Sequence, residues 1–314
     1  MIPEFCLQSR SDNTRKKYRY AFDAWCRWCN SSPQNVKTLP ASDFFVSLYM
    51  IHLSKTFHSA AKIYEAIYAI SWAHNLAGFP DPCQSQLVKS VKDDALKMTS
   101  KPVVKKDPIT PDILQNLVLR YGQAISNLYD WRISCMCLLA YSGFLRFSEL
   151  VNIRRSHISF QNDHFALFIP RSKTDVMNKG STIVIAKTDK CTCPFAMLQM
   201  YLKAANISDY DDHFIFRSLS FCKRSSSYKL RGSRPLSYTR AREILLSALS
   251  ELGLDKSRFG LHSLRSGGAT TAANSGVSDR LFKKHRRWVS ENAKDGYVHE
   301  NLVEKLSVSK KLVI

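Results

Sequence analysis

The residues with the richest chemistry lie between Gly260 and Tyr297. The stretch opens on His262-x-x-Arg265, runs through the basic cluster Lys283-Lys284-His285-Arg286-Arg287-Trp288, and ends at Tyr297. A spacing of three puts His262 and Arg265 on one side of a helix. This set suits breakage of a phosphodiester without a metal. Such a reaction needs a nucleophile to attack phosphorus, cations to hold the non-bridging oxygens, and an acid to protonate the departing oxygen. Arginine fits the second task, because its planar fork meets two phosphate oxygens at once and keeps its charge. A free tyrosine ionises only near pH ~10, so its hydroxyl needs a positive pocket before it can attack. The sequence has no Gly-rich phosphate loop and no acidic cluster to hold Mg²⁺, so neither cofactor nor metal is expected.

Positioning these groups requires a folded scaffold, and the pattern supplies one. Tyr18, Phe22, Trp25 and Cys29 recur at helical spacing in a helix starting near Asn13-Thr14. Arg15, Lys16, Lys17 and Arg19 fall on other parts of that helix, which suits a phosphate backbone and equally a solvated face. Helices over Asp43–Ser54, up to Gly78, and within Ser85–Met98 complete a compact four-helix domain over residues 1–100. The segment 101–109, with two prolines, Lys105 and Lys106, reads as an interdomain linker, its lysines suiting a polyanion and equally a solvated linker. A catalytic domain over 110–314 opens with Thr110 as helix cap and Pro111 at the first helical position. A long apolar helix over Asn127–Tyr141 follows. Strand-like runs at Phe165–Pro170 and Thr182–Ala186 then flank a hairpin carrying Arg171, Lys173 and Lys179. Helices are expected again at Pro194–Ala205, after Leu236-Ser237, at Ser263–Ser275 and at Ser278–Arg287. The fold class is therefore mainly α with a small antiparallel β-sheet.

Composition narrows the partners. The 314 residues carry a net charge of +20, which points to a polyanion, and nucleic acid first. The nine cysteines are odd in number and scattered, which argues against a disulfide framework and for a reducing, intracellular compartment. Cys26-x-x-Cys29 lies in a helical run beside Trp25 and Trp28, where buried thiols are favoured over zinc. Residues 1–10 lack a basic start followed by an apolar run, so no signal peptide is expected. No stretch reaches the roughly 18 apolar residues of a membrane helix.

Four blocks together carry a resemblance: AYSGFLRFSEL at 140–150, RSKTD at 171–175, LHSLRSGGAT at 261–270, and HRRW…GY at 285–297. They look like the motifs of the tyrosine recombinases, the phage integrase family, in that family's order and spacing. The N-terminal NTRKKYRYAFDAWCRWC is similar to the family's helical core-binding domain, so the resemblance spans roughly residues 10–305. It implies an α+β catalytic domain and a 3′-phosphotyrosine intermediate. Arg146 and Arg265 match the phosphate-clamping arginines and Glu149 the acidic residue that orients the site. Lys173 matches the acid for the 5′-oxygen leaving group, with Lys179 on the same hairpin as its competitor. His262 matches the proton-transfer histidine, Trp288 the His-or-Trp position, and Tyr297 the nucleophile. His285, Arg286 and Arg287 are expected on backbone phosphates, and Gly267 and Gly268 at a close helix contact.

The resemblance further implies a site-specific recombinase or integrase that binds double-stranded DNA. It would act as a tetramer on DNA and be a monomer or dimer when free, with no membrane partner. A C-terminal helix docking into a neighbour is expected over Asn301–Val308. The cysteine content suits a eukaryotic mobile element, Crypton-like or DIRS-like, in the nucleus; otherwise the cytoplasm or nucleoid is expected. Two other readings stay open: a catalytically silent, recombinase-derived DNA-binding protein, and a type IB topoisomerase.

Overall fold

In a computed structural model of the chain, the described residues are 11–286 except positions 35, 103, 173, 174, 176 and 178. They form two compact units, Met1–Val104 and Lys105–Ile314. The fold is mainly α with two small antiparallel sheets.

Polar caps start most of the helices. In the N-terminal unit, α1 (Asp12–Ser31) begins at Ser11 and α2 (Asp43–Phe57) at Ser42. Helix α4 (Gln86–Thr99) begins at Ser85, and each of the three hydroxyls accepts a backbone N–H of its first turn. Helix α3 (Ala60–Ala77) ends on Gly78, whose φ of 75° is the left-handed cap that glycine adopts without strain. The apolar faces meet around Trp25, Met50, Ile63, Ile70 and Val88. Cys29 is buried there and Cys26 packs alongside. Burial pushes the Cys29 thiol up to about 12 and raises Cys26 too, so the Cys-x-x-Cys pair serves as core.

The C-terminal unit is built around α6 (Leu128–Ser142), which is buried along almost its whole length. Helix α5 (Pro111–Tyr121) has the expected Thr110 cap. The turn Ser142–Leu145 leads into the short α7 (Phe147–Val151). Strands β1 (Ile158–Phe160), β2 (His164–Ile169) and β3 (Ser181–Ala186) form one sheet, with Phe165 opposite Ile185 and Leu167 opposite Ile183. Helix α8 (Pro194–Ala204) packs on α6. A second hairpin follows, β4 (Arg217–Cys222) and β5 (Ser227–Pro235). The sequence pattern did not announce it, because its turn has neither Gly nor Asn. Helices α9 (Tyr238–Glu251), α10 (Leu261–Asn274) and α11 (Asp279–Arg286) complete the described unit.

Part of the expected linker is pinned down. Asp107 N–H donates to the Arg258 carbonyl at 2.8 Å and Ile109 N–H to the Ser263 carbonyl at 2.9 Å. Ile109 is fully buried, so residues 107–109 are a fixed edge under α10. Helix α10 can lie that close only because of its glycines. A Cβ on Gly267 would stand 2.0 Å from the Ile109 carbonyl oxygen, and one on Gly268 2.0 Å from that of Tyr141.

Candidate active site

The turn from α6 to α7 shapes the first half of the site. Phe144 holds a left-handed φ of 46°, unusual for a bulky residue, and its ring packs against Phe282 and His285. Arg146 then caps α7. Its Nη1 donates to Glu149 Oε1 at 2.7 Å, and its backbone N–H donates to Glu149 Oε2 at 2.8 Å. This local i, i+3 pairing fixes the carboxylate, which is 3% exposed.

Helix α10 brings the second half. It starts at Leu261, two residues before the expected start, so His262 sits in the first turn, exposed, with Arg265 one turn further on. Arg265 Nη1 lies 3.6 Å from Glu149 Oε2 and also donates to the Phe144 carbonyl. One buried carboxylate is thus shared by two arginines from distant parts of the chain. That arrangement offsets the desolvation of both cations and sets their relative position. The two differ in access: the Arg146 side chain is 17% exposed and Arg265 is 0% exposed. The resemblance alone gave no hint that Arg265 would be covered.

The hairpin between β2 and β3 begins at an exposed Arg171. A cavity of ≈ 270 Å³ beside it is lined by Glu149, Ser148, Asn152, His157, Phe168 and Arg171. His157 was not anticipated; burial and the neighbouring Arg154 hold its imidazole below the usual histidine range. At the hairpin's end, Asp175 accepts the backbone N–H groups of Lys179 and Gly180 at 3.0 and 2.8 Å. Lys179 is exposed. Lys173, Arg287, Trp288 and Tyr297 lie outside the described residues, as does the expected helix over 301–308. Among the competing tyrosines, Tyr210 is exposed, Tyr228 packs at a tilt against Tyr129 and edge-on to Phe221, and Tyr238 lies edge-on against Phe147 at 5.3 Å.

The residues expected on DNA fare unevenly. On α1, Lys16, Lys17 and Arg19 are exposed, whereas Arg15 pairs with Asp12. Lys105 is exposed, and Lys106 Nζ is held by the Ser257 carbonyl. His285, expected on phosphate, engages the Ser142 carbonyl through Nε2 at 2.7 Å and stands edge-on to Phe144 at 4.8 Å. In this structure it braces the turn that carries Arg146. Arg286 closes α11.

Comparison with known proteins places these features. The model of the phage integrase family matches residues 114–303. An integrase/recombinase XerD homolog of Selenomonas ruminantium is 26% identical over 302 residues, covering 95% of this chain and 84% of its own. Among solved structures, the XerH site-specific recombinase bound to palindromic difH substrate, a post-cleavage complex, aligns with a TM-score of 0.61 at 12% identity, covering 94% of this chain and 77% of that one. The Tn1549 transposon integrase in complex with transposon right end DNA aligns with a TM-score of 0.60 at 14% identity, covering 97% and 95%. At such identities the two structures are evidence for a shared fold.

Proposed function

This chain belongs to the phage integrase family of tyrosine recombinases, and from that premise we propose that it cuts and rejoins specific double-stranded DNA sites through a 3′-phosphotyrosine bond. The observation that carries the proposal is the shared carboxylate of Glu149, which sets Arg146 and Arg265 side by side. In the proposed reaction Tyr297 Oη attacks phosphorus and the 5′-oxygen leaves with a proton from Lys173. Arg146 and Arg265 hold the non-bridging oxygens as charge builds on them. His262, exposed in the first turn of α10, assists proton transfer, and the Trp288 indole N–H donates to the phosphate. The phosphotyrosine bond retains the energy of the broken one, so rejoining needs no ATP or metal. Because Arg265 is covered, its contact with phosphate requires the groups above it to shift when DNA binds.

The enzyme is proposed to act as a tetramer on DNA and to be a monomer or dimer when free. The described cysteines are all free, which supports a reducing, intracellular setting. No described helix is long and apolar enough to cross a membrane. Likeness in fold to a transposon integrase supports a mobile-element role. A eukaryotic source, with action in the nucleus, rests on cysteine content alone.

The test is a nicked duplex carrying a sequence that the protein enriches from a random pool. A covalent adduct should survive a denaturing gel and vanish in Tyr297→Phe. An undiminished adduct in that variant would overturn the nucleophile assignment. The cover over Arg265 favours one other reading, a silent DNA binder, which predicts tight binding and no adduct. Relaxation of arbitrary supercoiled plasmid by monomeric protein would instead favour a topoisomerase.

A further inference from the structure

The hairpin β4–β5 has no part in the constellation around Glu149, yet its charged residues are all basic. From Arg217 to Arg242 the sequence contains no Asp or Glu. The antiparallel register sorts its side chains. Leu219 faces Leu230 and Phe221 faces Tyr228 on one side, while Ser218 faces Arg231 and Ser220 faces Lys229 on the other. Leu219, Tyr228 and Leu230 pack on the core of the unit. The opposite face and the turn present Lys223, Arg224, Lys229 and Arg231, all exposed and none in an ion pair with a described residue. Serine opposite each strand cation leaves its charge uncancelled.

The root of the hairpin is rigid. Arg132, buried in α6, donates Nη1 to the Arg217 carbonyl at 2.9 Å, and Arg217 Nη1 donates to the Gly232 carbonyl at 3.0 Å. Tyr129 meets Tyr228 with ring centroids 5.7 Å apart. The strand then runs straight into α9, whose first residue, Tyr238, lies against Phe147, next in chain to Arg146. The hairpin is therefore anchored on α6 and leads, through the Tyr238–Phe147 contact, to the neighbour of Arg146.

We propose that the β4–β5 hairpin is a second DNA-contacting element, gripping the phosphate backbone of duplex DNA beside the cleavage site without reading bases. This rests on the proposed action on DNA, and it adds a surface that the recombinase motifs do not contain. Lysines and arginines on a serine-rich face, without amides or apolar wedges, suit phosphates rather than base edges.

The experiment measures binding of the full chain to its enriched duplex and to a scrambled duplex, across a series of salt concentrations. Each phosphate contact contributes about 0.9 to the slope of log affinity against log salt. Replacing Lys223, Arg224, Lys229 and Arg231 with glutamine should lower that slope by roughly 3 to 4 on both duplexes. The four Lys↔Arg swaps should preserve it, and an unchanged thermal melt shows that the fold is intact. An unchanged slope in the glutamine variant, or a loss confined to the enriched sequence, would overturn the hairpin proposal. Failure of the unaltered chain to bind either duplex would instead overturn the proposed action on DNA.

Discussion

The two units of this chain bury different kinds of polar group. Among the described residues, the N-terminal unit buries Ser47, Ser54, His74 and Thr99, polar side chains satisfied close by. Each hydroxyl donates to a carbonyl of its own helix at 2.8 Å. His74 accepts the Ala41 N–H at Nε2 and reaches the Ile70 carbonyl through Nδ1, both at 2.8 Å. The C-terminal unit buries Ser134, Ser263 and Ser266 and, in addition, the charged Arg132, Glu149, Arg155 and Arg265. A buried charge costs several kcal/mol unless it is paired, and even paired it seldom outperforms an apolar residue of the same size. Packing alone would not choose these residues. The contrast teaches that, among the described residues, charge is buried only in the C-terminal unit, where Glu149 and Arg265 belong to the candidate site while Arg132 and Arg155 tie distant segments together.

The most severe way to break the contrast is Glu149→Ala. It strips Arg265 of its carboxylate inside the protein, and the unit should lose about 3 to 5 kcal/mol in denaturant unfolding. A neutral result would mean that the buried charges are not held against a cost. Next in size is Gly268→Ala, which forces α10 off the Tyr141 carbonyl and the Phe144 ring. It should cost about 1 to 3 kcal/mol, with adduct formation falling further than stability does, because the Arg146–Arg265 spacing opens. Equal losses in both readouts would separate the clamp from helix packing. The smallest effect belongs to the N-terminal unit. Burial pushes the Asp81 carboxyl up, but hydrogen bonds from Ser71, the Cys83 N–H and Gln84 outweigh that and hold it below its usual value of 3.8. A lowered folded value stabilises the protein above the unfolded value and loses that contribution as pH falls through the folded one. Asp81→Asn should therefore flatten the acid limb below about pH 4 by lowering stability modestly at neutral pH while leaving it nearly unchanged in acid, as followed by thermal melts. A steeper acid limb in the variant would assign the acid sensitivity elsewhere.

Legibility in the sequence followed the range of the interactions. Helix starts were readable because Ser42, Ser85 and Thr110 cap their own first turns. Arg146 and Glu149 stood out in the sequence singly rather than as a pair, although the two are only three residues apart and pair in the structure. The first sheet announced itself through alternating Phe165, Leu167 and Ile169. The second hairpin was missed for a physical reason: its apolar side is only Leu219, Phe221, Tyr228 and Leu230, diluted by serine and arginine, and its turn Lys223–Ser226 has no residue that favours a left-handed backbone. Ser226 adopts φ 44° there regardless.

By itself, then, the sequence determined the helical scaffold, the Arg146–Glu149 and His262–Arg265 spacings and the four blocks that mark the family. These all depend on neighbours within a turn or two, or on residue order. Tertiary structure alone decided that Arg265 is buried with its Nη1 on the Phe144 carbonyl, that His285 engages the Ser142 carbonyl, and that the basic residues of β4 and β5 gather on one face. Burial and desolvation are set by whatever segment arrives from far along the chain, and no local pattern encodes what will cover a side chain.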